Sequence, residues 1–293
     1  MLIPPDRVKF DEPMCLHTSF KIGGPADALI TPQSVEELSR VLAFCADRQI
    51  PYYIIGKGTN LLVRDRGIRG AVIVIGQHFS QVEFTDSQVE AGAGVALTDL
   101  SHLAASRGLS GLEFAVGIPG SLGGAVVMNA GAYDGEMSDV VVSVKVISPD
   151  GRQLITLTKA ELQYGYRKSV LLDSNWVVLS ARLALHPGNV KEIKAKMAEY
   201  TRRREAKQPI SLPSAGSVFK KPKGYFVGPM IESLGLKGYR VGDAQVSELH
   251  AGFIVNLGQA TADDVLTLIQ HIQSAVAERF KVQLVPEIRI LGE

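Results

Sequence analysis

The stretch that most restricts what this chain can become is "GIPGSLGGAVVMNAGAYDGE", residues 117–136, with six glycines in twenty positions and no charge before Asp134. Glycine inside regular structure costs roughly 0.5–1 kcal/mol relative to alanine, because it has more backbone freedom to lose on folding. So dense a set implies either tight turns in a compact domain or a loop whose backbone must approach something bulky. A second turn of this kind, "IGKGTNLL" at 55–62, is flanked by apolar sequence. Neither fits the usual phosphate fingerprints. No G-x-x-x-x-G-K-[ST] occurs, and the third glycine of G-x-G-x-x-G is Leu61 after Gly56 and Gly58, and Leu97 after Gly92 and Gly94. Successive N–H groups of a glycine turn can still hold phosphate oxygens, and Lys57, Thr59 and Asn60 would add donors.

The remainder is ordinary globular material, 46% hydrophobic and 21% charged, with 31 Lys+Arg against 30 Asp+Glu. A net charge of +1 offers no global attraction to nucleic acid or to an anionic membrane. Cys15 and Cys45 have neither metal-ligand spacing nor a disulfide framework. Cys45 follows Leu38, Val41 and Leu42 on one helical face and reads as core. The opening "MLIPPDRVKFDEPM" carries early prolines and acids, so it does not read as a signal peptide. No apolar run reaches the length of a membrane span. The expectation is a cytoplasmic protein, monomeric or weakly oligomeric, with no metal, membrane or nucleic-acid partner.

Hydrophobic periodicity divides the chain into three α+β blocks, 1–79, 80–187 and 188–293. In the first, Ser34 with Glu37 opens a helix and "AVIVIG" is a buried strand. In the second, a helix runs from about Leu97 to Arg107. "DVVVSVKVISPDG", "RQLITLT" and "WVVLSARLAL" follow as strands, the first two joined by a "PDG" turn. The third opens on a basic helix, "NVKEIKAKMAEYTRRREAKQP", ended by Pro209, whose Arg202–Arg204 run reads as a solvated face. "TADDVLTLIQHIQSAVAERF" places Val265, Leu268, Ile269, Ile272 and Val276 on one stripe, behind a Thr261/Asp264 capping pattern. In the last strand, "VQLVPEIRIL", Glu287 alternates off the apolar set Val282, Leu284, Ile288 and Ile290.

Taken in order, "IGKGTNLLVRDRG", "EAGAGV" and "GIPGSLGGAVVMNAGAYDGE" resemble the FAD-binding domain of the UDP-N-acetylenolpyruvoylglucosamine reductase (MurB) family. "YGYRKS", "PSAGSVFKKP", "DAQVSELHAGFIVN" and "VPEIR" extend the resemblance from about Thr18 to Ile290. It implies a two-subdomain FAD-binding domain of the PCMH, vanillyl-alcohol-oxidase-like kind, followed by a substrate-binding α+β domain. It also implies tightly but non-covalently bound FAD, NADPH as hydride donor, and UDP-N-acetylglucosamine enolpyruvate as substrate.

By the same resemblance Gly56, Lys57, Gly58, Thr59, Asn60 and Leu61 would cradle the FAD pyrophosphate. Ile118, Pro119, Gly120, Ser121 and Gly124, with Asn129 and Gly131, would wrap the flavin and its linker. Arg167 would stabilise negative charge on the substrate, Ser217 would donate a proton, and Glu287 would assist. Tyr166, Lys207 and Lys221 would meet the substrate. Lys221 stands where many relatives have asparagine. Only forty positions separate Arg167 from Lys207, so the chain resembles the family's shorter form, without an inserted substrate loop. Two other readings compete. An oxidase of the same fold often tethers flavin to a loop histidine, but none of the six histidines lies in either glycine-rich turn. A non-catalytic flavin module would have no need of Arg167, Ser217 and Glu287 together.

Overall fold

The computed structural model describes residues 3–293. Among these are seven α-helices: α1 (Val35–Asp47), α2 (Leu97–Ser106), α3 (Leu122–Val127), α4 (Met137–Val140), α5 (Val190–Lys207), α6 (Val227–Ser233) and α7 (Ala262–Phe280). The chain packs as two compact units. One holds the chain through Phe10, Ala28–Lys57 and Gly70–Arg204; the other holds Asp11–Asp27, Gly58–Arg69 and Glu205–Glu293.

The first unit is built around a five-stranded antiparallel sheet. Its order is Leu154–Thr158, Val141–Ile147, Val177–Ala184, Gln88–Gly92, Val82–Thr85. The three strands read from the sequence are all present. The "PDG" turn joins two of them, with Gly151 at φ 71°, where a side chain would collide with the Ser39 carbonyl. Elsewhere in this unit Tyr52–Ile55 pairs in parallel with Ala71–Val74. Val144, Val146, Ala181, Leu183 and Val89 share one continuous core with Leu38, Val41, Leu42 and Cys45 of α1 and Leu97, Leu100 and Ala104 of α2. Ser34 caps α1 by accepting from the Glu37 N–H at 3.2 Å. The Glu37 carboxylate takes the Gln33 N–H and the Arg7 guanidinium, so the reciprocal half of the expected box goes one residue further back. Cys45 is buried and its thiol is pushed up by that burial, as a core cysteine should be.

α5 packs Ile193, Met197 and Tyr200 against Ala105 and Val116. The helix that periodicity puts at the head of a third block therefore belongs, through Arg204, to the first unit.

In the second unit α7 covers an antiparallel sheet of Arg240–Val241, Ala244–Val246 and Ile254–Asn256. All five stripe residues are buried. Thr261 and Asp264 exchange hydrogen bonds at 2.9 and 3.1 Å, and the Asp65 carboxylate takes the next two N–H groups, of Ala262 and Asp263. These satisfy donors that a helix start leaves unpaired. The final strand is shorter than the sequence suggests. Only Arg289–Leu291 is regular, paired in parallel with Leu61–Val63, because Pro286 interrupts the ladder and makes a lone bridge to Phe219. Leu284 and Ile288 are buried, but Ile290 is exposed, so the alternation stops there.

Truncating the stripe in α7 should be costly: Leu268→Ala is expected to remove about 2–5 kcal/mol. Glu278→Ala on the exposed face should stay within about 0.5 kcal/mol. Urea unfolding of the two variants checks this.

Candidate active site

The two glycine-rich turns meet in the first unit. A Cβ added at Gly56 would stand 2.2 Å from the Ser121 Oγ, so the backbone of one turn lies directly on the side chain of the other. Residues 120–123 are stitched to 93–97 by backbone hydrogen bonds. Leu97 N–H donates to Gly120, Leu122 N–H to Val95 and Gly123 N–H to Ala93. Gly120 takes φ 132°, open to glycine alone. Most of the other glycines answer to the protein itself. A Cβ at Gly123 would sit 2.9 Å from that of Ala93, one at Gly131 2.6 Å from the Gly135 carbonyl, and one at Gly135 2.7 Å from the Phe114 ring. Gly124 differs: it is exposed on α3, and the nearest atom to a Cβ there is the Ser121 Oγ at 3.8 Å. Lys57 and Pro119 are also exposed, Ile118 is half-buried, and Ser121 is buried.

Arg167 sits at φ 53°, an uncommon conformation for a non-glycine residue. Its Nη2 donates to the Gly131 carbonyl at 2.7 Å and Nη1 to that of Asn129 at 3.4 Å. Its guanidinium lies 5.0 Å from the centre of the Tyr166 ring, which is exposed rather than packed. Asn129 is fully buried. Its Nδ2 donates to Glu136 and to the Gly165 carbonyl, and its Oδ1 accepts from Ser138. The asparagine amide is thus spent on tying 129, 136–138 and 165 together, and its carbonyl steadies Arg167. Nothing in the sequence distinguishes this use from a ligand contact. Charge counting also leaves Arg204 on a solvated face, whereas its Cδ lies 2.7 Å from where a Gly117 Cβ would be.

In the second unit Gly58 takes φ 64°, and a Cβ there would fall 2.0 Å from the His17 carbonyl oxygen. Thr59 is half-buried. Asn60 Nδ2 donates to the Glu287 carbonyl at 3.2 Å, the Arg289 N–H donates to Asn60, and Leu61 pairs with Arg289. The Glu287 N–H in turn donates to Val218 at 2.7 Å. Ser217, exposed, bridges Phe253. Asn60, Ser217 and Glu287, scattered over the sequence, therefore share one backbone network. Glu287 is half-buried. Among the described residues nothing holds the Ser217 hydroxyl. Lys207 is the exposed last residue of α5. Lys221 is exposed too, its ammonium 4.0 Å from the centre of the Phe226 ring.

Residues 26–156 match the FAD binding domain family, and residues 208–291 match the C-terminal domain of UDP-N-acetylenolpyruvoylglucosamine reductase. The chain is 52% identical over 292 residues to the UDP-N-acetylenolpyruvoylglucosamine reductase of Alkaliphilus oremlandii, covering 100% of this chain and 96% of the relative. It is 48% identical over 291 residues to that of Syntrophomonas wolfei, covering 99% and 97%. The chain belongs to the UDP-N-acetylenolpyruvoylglucosamine reductase family. The crystal structure of the reductase from Thermus caldophilus superposes on 97% of this chain and 98% of its own, with TM-score 0.83 and 41% identity. A solvent-stable cholesterol oxidase, 16% identical with TM-score 0.50 over 62% of this chain, shares the fold alone. The α+β architecture with an FAD-binding domain is thus established. The residues present suit that cofactor: the two turns abut at Gly56 and Ser121, with exposed Lys57, Pro119 and Gly124 beside the contact. No described helix is long and apolar enough to cross a membrane.

Gly58 depends on the fold both for its backbone conformation and for the space around it. Gly58→Ala must adopt a left-handed backbone and displace the His17 carbonyl. It is expected to destabilise the protein by about 2–4 kcal/mol, combining the conformational and overpacking costs. A thermal melt of the flavin-free variant measures it.

Proposed function

We propose that this chain reduces UDP-N-acetylglucosamine enolpyruvate to UDP-N-acetylmuramate, with FAD as resident cofactor and NADPH as reductant, in peptidoglycan precursor synthesis. What supports this reading most is a likeness that runs the whole length of the reductases and takes in both family domains. Residues 1–79 and 80–187 would form the two FAD-binding subdomains and 188–293 the substrate-binding domain. The reactants are small soluble metabolites, so the reading needs only the cytoplasm and a single chain.

When bound, FAD would supply the hydride chemistry that links NADPH to the terminal vinyl carbon of the substrate. The side chains and backbone do the rest. Gly56, Lys57, Gly58, Thr59, Asn60 and Leu61 offer N–H groups and a cation to the diphosphate of FAD. Ile118, Pro119, Gly120, Ser121, Gly124, Asn129 and Gly131 shape the wall for its ring and linker. Arg167 supplies a permanent positive charge where the substrate carboxylate gains enolate character. Two backbone carbonyls fix its guanidinium in place, which is the condition for a preorganised charge to favour a transition state. Ser217 gives a proton to the carbon that bears the ether oxygen. A hydroxyl is a weak acid in water, so the step needs a neighbour that offsets the charge left behind. Glu287, one backbone hydrogen bond from the residue after Ser217, takes that part. Tyr166 flanks the substrate, and Lys207 and Lys221 meet its diphosphate, Lys221 doing as a cation what an asparagine does in many relatives.

Ser217→Ala should leave reduction of the flavin by NADPH near the wild-type rate. Reoxidation by the enolpyruvyl substrate should slow by ~10²–10⁴-fold, the usual effect of losing a general acid. Stopped-flow absorbance separates the two half-reactions, and equal slowing of both would remove Ser217 from the proton-transfer step.

A further inference from the structure

The arginine run at the end of α5 does not behave as one solvated face. Arg202 and Arg203 are exposed, and Arg203 is paired with Glu199 one turn earlier. Arg204 turns inward and is half-buried. Its stem lies over Gly117: a Cβ added there would meet Arg204 Cδ at 2.7 Å, and Nε and Nη1 at 3.6 Å. Any side chain at 117 would push the arginine out. The guanidinium therefore runs along the residue that opens "GIPGS", immediately before Ile118.

What the guanidinium lacks is an acceptor. Among the described residues no carboxylate, carbonyl or hydroxyl bonds it. Tyr133 is close enough for its phenol and the arginine to act on one another's charge. Yet the Tyr133 hydroxyl donates to the Tyr200 carbonyl at 2.6 Å, and its ring stacks on that of Tyr200 at 4.1 Å. Burial lowers the arginine's pKa, but a guanidinium does not lose its proton in a protein. A permanent charge with five donors is thus held half out of water with no partner, which is unfavourable unless an acceptor arrives from outside the chain. Arg7, by contrast, is paired with the Glu37 carboxylate.

We infer that Arg204 is a cofactor-binding residue, its guanidinium donating to acceptor oxygens of FAD bound along Ile118–Ser121. The inference rests on the flavin reading above. The acceptor can belong to the ring or to the phosphate-bearing chain. The two are told apart by the reduction potential, since a cation at the ring favours the more electron-rich reduced form, whereas one at the phosphates does not.

The test uses flavin-free protein of the wild type, Arg204→Met and Arg204→Lys, each refilled with FAD. Methionine keeps an apolar stem over Gly117 and removes the charge; lysine keeps the charge and loses the planar fork. Expected for Arg204→Met is a thermal midpoint of the flavin-free protein no lower than wild type, because an unpaired charge has been relieved. Its FAD dissociation constant should be weaker by at least about tenfold, the loss of one charge-assisted hydrogen bond, with Arg204→Lys in between. A more negative flavin potential places the contact at the ring; a change in affinity alone places it at the phosphates. Unchanged affinity and potential overturn the proposal. So does a loss confined to the KM of the enolpyruvyl substrate, which would assign the arginine to that anion instead. If the wild type takes up no FAD, the flavin reading itself fails, an outcome visible before any variant is compared.

Discussion

A three-residue parallel pairing, Leu61–Val63 against Arg289–Leu291, is the constraint on which the second unit's share of the candidate site depends. It holds the segment after "GKG" to the end of the chain. Asn60 is thereby close enough to donate to Glu287, and Glu287 in turn donates to Val218 beside Ser217. Each link is an ordinary hydrogen bond, worth roughly 0.5–1.5 kcal/mol net. Their force is geometric, because they hold together segments near residues 60, 217 and 287 that are far apart in sequence. Leu62 and Ile288 lie in one buried cluster with α7, so hydrophobic burial holds the pairing that the hydrogen bonds align.

The glycine-rich string has a more mixed origin than a cofactor alone would give it. Gly123, Gly131 and Gly135 are bare because other parts of the same chain occupy the space, and Gly117 is bare beneath Arg204. Gly120 answers to backbone conformation and Gly124 to neither cause. Close packing explains the density of glycine, and a ligand is needed to explain only a few of them. Tight self-packing in turn keeps the loop rigid, and a rigid wall is what a flat cofactor requires of its site.

Legibility followed the range of the interactions. α7 could be read almost residue by residue, since its stripe and its Thr261/Asp264 cap are set within a few positions of sequence. The three strands from Val141 to Ala184 were equally plain from β-branched runs and one turn. The last strand was over-read, because the alternation at 282–290 takes no account of Pro286 lacking an N–H. The role of Asn129 was invisible: an amide satisfied by Glu136, Ser138 and Gly165 looks in sequence like one waiting for a ligand. The direction of Arg204 was also hidden, because it depends on the missing side chain of a residue eighty-seven positions earlier. The motifs pick out candidate residues, whereas which of them lie together depends on long-range contacts.

The division into two units, each assembled from separated segments, has a consequence for how the protein comes into being. The second unit needs Asp11–Asp27 and Gly58–Arg69 together with everything after Arg204, and its core sets Phe20 and Leu62 among residues up to Leu284 and Ile288. Its early segments must wait, apolar side chains unpaired, until nearly the whole chain has left the ribosome. Such long sequence separations slow folding and prolong exposure of sticky surface. The first unit has all its segments by Arg204 and can condense first. No single cut gives either unit as a continuous piece, so a nascent chain stalled near residue 204 would carry two orphaned segments of a unit not yet made.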